Sequence, residues 1–522
     1  MSGILLAAIN AKWIHPSLAL RLLKANLGNL EDRCEIMEFA LRQPLAEKLE
    51  PILAARPLIL GLSVSIWNHS ATLELLKALN EKWNMYRSPD QNSMVQPKPI
   101  VVLGGPEVSW LSRDSMIFTY ADYVIQGEGE ESFRSLCVHL LEESLCASLE
   151  SAKTNDNKSA VFINCTETAV NVDSSASPYR LYTDEDLKKK LVYVEASRGC
   201  PFACDFCLGP ARSEGKGISV PVREFPLPPF LTDMGKLIDR GGRQFKFLDR
   251  TFNLKVERAE KIMNFFLSRI MAQDTAGAEK GPLCVHFEMF PSPLHPVLKD
   301  MLRRFPAGSL RLELGIQTFN PETSSLVHRS GDPLSAVKQT EDAIKTLEFL
   351  RRETNAIIHA DLIAGLPGEG LSSFGAGFDL LWRVLSGTGN LKLGSLQTGA
   401  CDRFEIQLGI LKCLPGTPIA RYNKTFGMKF SAEPPYEVLE TAALGFVELN
   451  QIKNFARFWE IIVNRSHFTE LVTRFIPPGE PVFERFMDLS KALAVKFGRN
   501  WGINRHDLEN SILEHFLPEK QE

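Results

Sequence analysis

Residues 197–208 read Ser-Arg-Gly-Cys-Pro-Phe-Ala-Cys-Asp-Phe-Cys-Leu, which places Cys200, Cys204 and Cys207 in a C-x3-C-x2-C array. Three thiolates on one short loop suit an iron–sulfur cluster in which one iron has no protein ligand. An open coordination position distinguishes a catalytic metal site from a closed structural one. A closed zinc site needs a fourth Cys or His nearby, but the next cysteine is Cys284 and no histidine precedes it after Cys207. The spacing favours an open cluster site, with zinc or chance spacing as the alternative.

The array also resembles the signature of the radical S-adenosylmethionine (radical SAM) superfamily, including the aromatic Phe206 before the last cysteine. The resemblance implies that the three cysteines hold a 4Fe–4S cluster whose vacant iron binds the amino and carboxylate groups of SAM. It also implies that reduction of the cluster cleaves SAM to a 5′-deoxyadenosyl radical. We therefore expect a radical SAM enzyme with Cys200, Cys204 and Cys207 as cluster ligands and Phe206 near SAM.

The composition is that of an ordinary globular protein, with 44% hydrophobic and 23% charged residues among 522. A net charge of −4 gives no electrostatic case for binding nucleic acid or an anionic membrane. The apolar residues 1–9 are too short for a signal peptide, and no apolar run approaches the roughly 20 residues that span a bilayer. The cysteines form one tight cluster only, which fits a reducing compartment. We expect a cytoplasmic protein.

Residues 1–142 alternate short apolar segments with amphipathic ones, with strands expected at 3–9, 34–39, 57–63, 100–103 and 122–125. This alternation predicts a Rossmann-like, doubly wound parallel sheet. Ligands bind such sheets beyond the carboxyl ends of the strands. The candidate ligand contacts at these ends are Asn10, His15, Ser63, Ser65, Trp67, Gly104, Gly105, Pro106, Glu107, Gly127, Glu128 and Gly129.

The phrases VVLGGPEVS (101–109) and DYVIQGEGEESF (122–133) resemble the cobalamin-binding domain that precedes many radical SAM domains. The resemblance implies that the strand-end residues named above contact cobalamin. The Asp-x-His-x-x-Gly motif of proteins that ligate cobalt through histidine is absent, because residues 10–16 read Asn-Ala-Lys-Trp-Ile-His-Pro. We expect base-off cobalamin without a histidine ligand, with His15 as the alternative ligand or as a packing residue. Trp67 packs on the corrin or fills the core.

Residues 143–190 have a polar, mixed composition that predicts a connector. Residues 191–430 again alternate strands and helices, with strands expected at 192–196, 244–248, 284–288, 311–316, 357–363 and 404–412. Six such strands resemble the partial (β/α)6 barrel of radical SAM enzymes, in which functional residues lie at the carboxyl ends of strands.

The resemblance to radical SAM barrels also suggests which strand-end residues contact SAM. Asp249 and Asn253 occupy the place where the family usually has a Gly-Gly-Glu motif, which this sequence lacks. Asp249 is the candidate to bind the SAM amino group. Glu313 and Gln317 match positions that contact the SAM ribose and carboxylate. The complete set is Phe206, Asp249, Asn253, Glu288, Glu313, Gln317 and Gly365, and each of them has a structural end-of-strand role as its alternative.

Residues 431–522 predict a helical C-terminal domain. Phe486, Leu489, Leu493 and Phe497 recur at helical spacing and give one apolar face. The segment resembles the tails of uncharacterised radical SAM proteins of the cobalamin type. A lid, a docking surface and a structural buttress are all open roles.

Together the resemblances imply a cobalamin-dependent radical SAM methyltransferase that acts on an unactivated carbon through a 5′-deoxyadenosyl radical and methylcobalamin. A cyclase or rearrangement enzyme with the same cofactors is the alternative. A radical enzyme without cobalamin ranks lower, because no second cysteine cluster accompanies the sheet. A non-enzymatic corrinoid or metal-binding protein is the alternative from a different class. The expected partners are a small-molecule, lipid or peptide substrate and a reductant such as flavodoxin or ferredoxin.

Overall fold

The computed structural model describes residues 3–85, 98–146, 159–166, 169–208, 220–274, 281–387, 403–465 and 481–516. Two six-stranded sheets organise these residues, and all neighbouring strands within each sheet are parallel. A helical region follows the second sheet.

The first sheet has the strand order β2-β1-β3-β4-β5-β6, which confirms the predicted doubly wound topology. Six of the seven residues of its central strand β1 are buried, as expected for a parallel strand covered by helices on both faces. Its strands are β1 (Ile4–Asn10), β2 (Cys34–Ala40), β3 (Ile59–Ser63), β4 (Ile100–Gly104), β5 (Tyr123–Gly127) and β6 (Val161–Cys165), and its helices are α1 (Leu18–Ala25), α2 (Leu45–Ala55), α3 (His69–Met85) and α4 (Glu130–Cys146).

Strand β6 was not predicted, because it lies within the segment 143–190 that we expected to be a connector. It pairs with β5 at the sheet edge, with Gly127 opposite Cys165. It reads Val-Phe-Ile-Asn-Cys, and four of its five residues are at least partly exposed. The polar composition of the surrounding segment outweighed this short apolar stretch in the prediction. The first sheet therefore extends beyond residue 142.

The second sheet has the order β14-β13-β12-β11-β10-β7, which confirms the six predicted strands of a partial barrel. An unpredicted antiparallel hairpin, β8–β9, carries the first cysteine of the array. The strands are β7 (Val192–Val194), β8 (Ser197–Cys200), β9 (Val220–Glu224), β10 (Gln244–Phe247), β11 (Cys284–Met289), β12 (Leu310–Gln317), β13 (Ile357–Ala364) and β14 (Phe404–Ile410), and the helices are α5 (Asp184–Lys189), α6 (Leu227–Asp239), α7 (Val256–Asp274), α8 (Pro296–Arg304), α9 (Pro321–Leu326), α10 (Pro333–Glu353) and α11 (Leu371–Ser386).

The barrel strands alternate between two environments, which gives the barrel a polar interior. In β12, the apolar Leu310, Leu312 and Leu314 are fully buried, whereas Arg311 and Glu313 between them are only partly buried. Because successive side chains of a strand point to opposite faces, the polar residues of neighbouring strands share the inner face. We call this inner face the lumen.

The C-terminal region confirms the predicted helical domain. Its helix α13 buries Phe486, Leu489 and Leu493 of the predicted apolar face. These residues belong to the same hydrophobic core as the barrel helices. In this core, Phe378 of the barrel helix α11 also packs against Trp459 of the C-terminal region. The elements are β15 (Lys429–Phe430), β16 (Val438–Glu440), α12 (Phe446–Trp459), a π-helical turn (Glu460–Asn464), α13 (Val482–Phe497) and α14 (Arg505–Phe516). In the described ranges, no helix is long and apolar enough to cross a membrane.

Candidate functional site

Residues 197–208, which we call the cluster loop, leave the carboxyl end of β7 and bring the three cysteines together. Cys200 and Cys204 are buried and Cys207 is half-buried. Burial, the largest effect, and the neighbouring thiols raise the pKa of Cys200. The Arg329 guanidinium donates from Nη1 to Cys204 Sγ at 3.8 Å. Burial, the largest effect, raises the pKa of Cys204, and the Arg329 charge opposes this effect by favouring the thiolate, which is the form that binds iron.

The donor set of the cluster loop fits a 4Fe–4S cluster. Each thiolate of such a cluster binds its own iron, so the sulfurs stand further apart than the ligands of one ion. Among the described residues, no three His, Cys, Asp or Glu side chains are close enough to share a single metal ion. That arrangement does not bear on a cluster, whose ligands do not converge on one atom.

Asp205 anchors the cluster loop, a role that the sequence analysis missed. Its side chain is 1% exposed, and its Oδ2 accepts a hydrogen bond of 2.7 Å from the Tyr422 hydroxyl and lies 2.9 Å from His328 Nδ1. Arg421 donates to the same oxygen. Its partners lie more than 120 residues away in the chain, so no local sequence signal identifies them.

Asp249 and Asn253 are placed next to the cluster loop and are engaged by protein groups. Asp249 is 2% exposed, and its two oxygens accept hydrogen bonds from the Ala196 amide at 2.9 Å and the Ser197 hydroxyl at 2.5 Å. Burial raises the pKa of Asp249 to about 7. The Asn253 side chain exchanges two hydrogen bonds of 2.9 Å with the backbone of Phe290. Asp249 therefore holds the base of the cluster loop, whereas Asn253 ties the segment after β10 to the segment after β11.

The lumen brings Glu288 and Glu313 together, next to each other in the register of β11 and β12. Glu313 lies 3.1 Å from Lys246 Nζ and 3.2 Å from His286 Nε2. Although burial opposes it, these two partners lower the pKa of Glu313 to about 2. Glu288 lies 3.6 Å from Arg250, and burial raises its pKa. Glu313 is therefore an ionised carboxylate whose charge is compensated by neighbouring protein groups.

Two further lumen residues were missed by the sequence analysis, Asp361 on β13 and Arg329 after α9. Burial, followed by the charges of Glu313 and Glu288, raises the pKa of Asp361 to about 8. Its buried Oδ1 has no hydrogen-bond partner among the described residues. Arg329 grips the Gly315 carbonyl, and Gly315 faces Asp361 in the strand register. These contacts connect the lumen to Cys204.

The remaining predicted SAM residues lie at the same end of the barrel. Gln317 ends β12 beside an irregularity in the strand pairing and has a positive φ of 70°. Phe206 is partly buried against the barrel core. Gly365 follows β13 with a φ of +88°, and a Cβ there would lie 2.5 Å from Val438 Cγ1, so the turn requires glycine.

A cavity of about 740 Å³ lies between the first sheet and the cluster loop. Apolar side chains of β1, β3 and α1 dominate its wall, and Arg198, Gly199 and Leu248 close it on the barrel side. The predicted residues in its wall are Ser63, Gly104, Gly105, Pro106, Gly127, Glu128 and Gly129.

Five predicted residues lie outside that wall. Asn10 donates to Glu38, the Ser65 amide donates to Asn68, and Trp67 is 52% exposed. His15 Nδ1 lies 2.9 Å from the hydroxyl of Tyr193 on the edge strand β7, and His15 does not line the cavity. Glu107 is buried and accepts a hydrogen bond from Tyr436.

Gly104 leaves room for a large ligand at the carboxyl end of β4. A Cβ at Gly104 would have only the Ile125 carbonyl within 4 Å, at 3.8 Å. Gly105 and Gly127 have φ values of +110° and +94°, which favour glycine. A deep, mainly apolar pocket with a backbone wall fits the bulky tail and ring edge of cobalamin, so these residues fit the group.

Glu128 lies in the cavity wall, but its carboxylate pairs with arginines of the protein. The Arg223 guanidinium donates to its carboxylate from Nη1 at 2.9 Å, and Arg198 Nη1 lies 3.5 Å away. Although burial opposes it, these cations lower the pKa of Glu128. Arg198 also donates to Glu130 at 2.9 Å, and therefore ties the hairpin β8–β9 to the first sheet.

The described fold, a doubly wound sheet followed by a partial barrel with a three-cysteine loop at its mouth, is similar to that of two solved proteins. The structure is similar to the radical SAM methyltransferase TsrM from Kitasatospora setae, solved with tryptophan substrate and the SAM analog aza-SAM bound, with a TM-score of 0.56 and 16% identity over 85% of this chain and 80% of that one. It is also similar to the cobalamin-dependent SAM radical enzyme OxsB with aqua-cobalamin bound, with a TM-score of 0.59 and 15% identity over 99% of this chain and 75% of that one.

Two sequence comparisons match shorter segments. Residues 424–520 match a family described as protein of unknown function DUF4080. The 2-(S-pantetheinyl)-carbapenam-3-carboxylate methyltransferase of Streptantibioticus cattleyicolor is 26% identical over 164 residues, which span 29% of this chain and 22% of that protein.

Proposed function

We propose that the protein is a cobalamin-dependent radical SAM enzyme, and specifically a methyltransferase acting on an unactivated carbon of a small molecule. The observation that carries this proposal is the shared wall of the cavity. Gly104 and Gly127 of the first sheet line it on one side, and Arg198 and Gly199 of the cluster loop line it on the other. A ligand held by the sheet would therefore lie beside a ligand held by the cluster.

The similar proteins support methyl transfer. TsrM is a methyltransferase whose structure contains its tryptophan substrate. The carbapenam-carboxylate protein is also a methyltransferase. Because the likeness to OxsB covers 99% of this chain and OxsB is described only as a SAM radical enzyme, radical chemistry without methylation is the second candidate.

In the proposed enzyme, each part of the site has a separate task. Cys200, Cys204 and Cys207 would hold the cluster, and the glycine-rich strand ends would hold cobalamin. When bound, these groups would supply one-electron cleavage of SAM and methyl transfer, while the protein provides position and exclusion of water. A reductant such as flavodoxin or ferredoxin would deliver the electron.

The lumen residues would bind SAM. Arg329 presents a guanidinium beside Cys204, which suits the SAM carboxylate. Asp361 within β13 and Glu288 near the carboxyl end of β11 offer oxygen acceptors, which suit the ribose hydroxyls or the SAM ammonium. Asp249 would act on the cluster loop and not on SAM directly, because both of its oxygens already accept hydrogen bonds.

Anaerobic reconstitution with iron, sulfide and hydroxocobalamin, followed by metal analysis and electron paramagnetic resonance (EPR) with and without SAM, tests this proposal. We expect about four irons and one cobalt per chain and a cluster signal that changes when SAM is added. Iron without cobalt would contradict the cobalamin part of the proposal, and zinc without iron would contradict all of it. Cobalt-loaded protein that cleaves SAM without transferring a methyl group to any offered acceptor would favour the second candidate.

A further inference from the structure

Residues 411–440, which we call the strap, follow β14 and fold back on themselves. The Cys413 amide donates to the Tyr436 carbonyl at 2.9 Å, and the Val438 amide donates to the Leu411 carbonyl at 2.8 Å. The two ends of the strap are thus fixed to each other by backbone hydrogen bonds.

One part of the strap grips the cluster loop. The Tyr422 hydroxyl donates to Asp205 Oδ2 at 2.7 Å, and Asp205 stands between two of the three cysteines of the array. Arg421 donates to the same oxygen. A buried carboxylate that accepts several hydrogen bonds is costly to leave unpartnered, so this contact holds the loop in one position.

A second part of the strap grips residues 104–110, which we call the cavity loop. The Tyr436 hydroxyl donates to Glu107 Oε1 at 2.6 Å, and Glu107 is 3% exposed. Gly416 packs against Trp110 in the cavity wall, where a Cβ at Gly416 would lie only 2.4 Å from Trp110 Cγ. The strap therefore contacts the proposed cobalamin pocket from outside it.

We propose that the strap couples the two cofactor sites, with Tyr422 and Tyr436 as positioning residues. The inference rests on the proposed function, because it concerns the affinity of one cofactor in the presence of the other. Tyr422 acts through Asp205 on the cluster loop, and Tyr436 acts through Glu107 on the cavity loop. Neither tyrosine lines the cavity. Because coupling between two binding sites is reciprocal, an ordered cluster loop strengthens cobalamin binding, and bound cobalamin stabilises the cluster.

The test is the dissociation constant of hydroxocobalamin, followed by its visible absorbance, on the full chain with the cluster reconstituted and after removal of iron. Wild-type protein should bind cobalamin about fivefold more tightly, or better, when the cluster is present. Tyr422→Phe should keep its iron and bring this ratio close to one, although Tyr422 contacts the cluster loop and does not line the cobalamin cavity. Tyr436→Phe should weaken cobalamin binding and also alter the EPR signal of the cluster.

Tyr120→Phe is the matched control, because Tyr120 packs on the core of the first sheet and lies outside the strap. It should keep the wild-type ratio. Arg421→Gln acts on the same carboxylate as Tyr422→Phe and should reproduce its effect if that variant folds poorly. A wild-type ratio of one, or a wild-type ratio in both tyrosine variants, would overturn the coupling. An iron-loaded wild-type protein that binds no cobalamin would contradict the proposed function itself, and the coupling with it.

Discussion

Arg329 is the residue at which the cluster loop, β12 and the lumen meet. Its guanidinium contacts Cys204 Sγ and the Gly315 carbonyl and lies over the Phe290 ring at 5.2 Å from the centroid. This placement requires the planar, forked guanidinium, because a lysine ammonium cannot make the two directed contacts together.

Substitution Arg329→Lys should therefore weaken SAM binding without unfolding the barrel. We expect the dissociation constant of SAM, measured by its effect on the EPR signal of the reduced cluster, to rise about tenfold, the loss of one hydrogen bond to a charged group. Arg304→Lys is the control, because Arg304 lies on the outer helix α8. Equal SAM affinity of the Arg329→Lys variant and wild type would place the SAM carboxylate elsewhere.

Asp361 should make the stability of the protein depend on pH. Its pKa is raised from 3.8 to about 8, so between these values the unfolded chain loses this proton and the folded chain keeps it. Stability from this group is complete below about pH 4 and falls as the pH rises towards 8. Asp361→Asn retains the shape of the side chain and removes its titration. The urea midpoint of this variant minus that of wild type should therefore increase from pH 5 to pH 8. A constant difference across that range would contradict the raised pKa.

At the scale of elements, the cavity wall offers a direct test of the cobalamin pocket. Gly104 has open space where its Cβ would be, whereas a Cβ at Gly105 would lie 2.5 Å from the Val64 carbonyl oxygen. Gly104→Leu should therefore fill the cavity without straining the backbone, and we expect at least about a tenfold loss of cobalamin affinity. Gly104→Ala adds one methyl group and should retain most of the binding. Undiminished binding by Gly104→Leu would move the pocket away from β4.

The elements that the sequence predicted are those whose own residues carry the signal. Strand β1 is a nearly continuous apolar run and β12 alternates apolar with polar residues, so composition and period sufficed to predict both. Strand β6 is a short apolar stretch inside a segment of polar composition, and the strands of the hairpin β8–β9 outside the main sheets lack an apolar run. Their pairing depends on partners far away in the sequence.

The candidate site follows the same division. The spacing of Cys200, Cys204 and Cys207 is local, and the sequence alone identifies the array. The partners of Asp205 and the convergence of Arg329 with Asp361 arise only from the packing of β12, β13 and the strap. The direction of His15 towards Tyr193 likewise depends on how the first sheet docks on the barrel.

At the scale of the whole molecule, the two halves are joined by ion pairs and by the strap. Arg198 of the cluster loop pairs with Glu130 of α4, and Arg223 of β9 pairs with Glu128 beyond β5. These pairs are largely buried, and removing one partner of such a pair leaves an uncompensated charge. The relative position of the sheet and the barrel is thus fixed by groups that also border the cavity, so the two proposed cofactor sites cannot move apart without breaking them.

Loss of the cluster should therefore abolish SAM cleavage but leave the cobalamin site in place and the protein folded. Cys204→Ala removes one of three ligands, so we expect loss of iron and of SAM cleavage, measured as 5′-deoxyadenosine by chromatography. Cobalamin should still bind, with the affinity of iron-free wild type, since the cavity wall does not include Cys204. Cys137→Ala, in the buried face of α4, is the control and should keep its iron. Production of 5′-deoxyadenosine by Cys204→Ala would overturn the ligand assignment, whereas loss of cobalamin beyond the iron-free wild type would show that the Cys204 side chain itself supports the pocket wall.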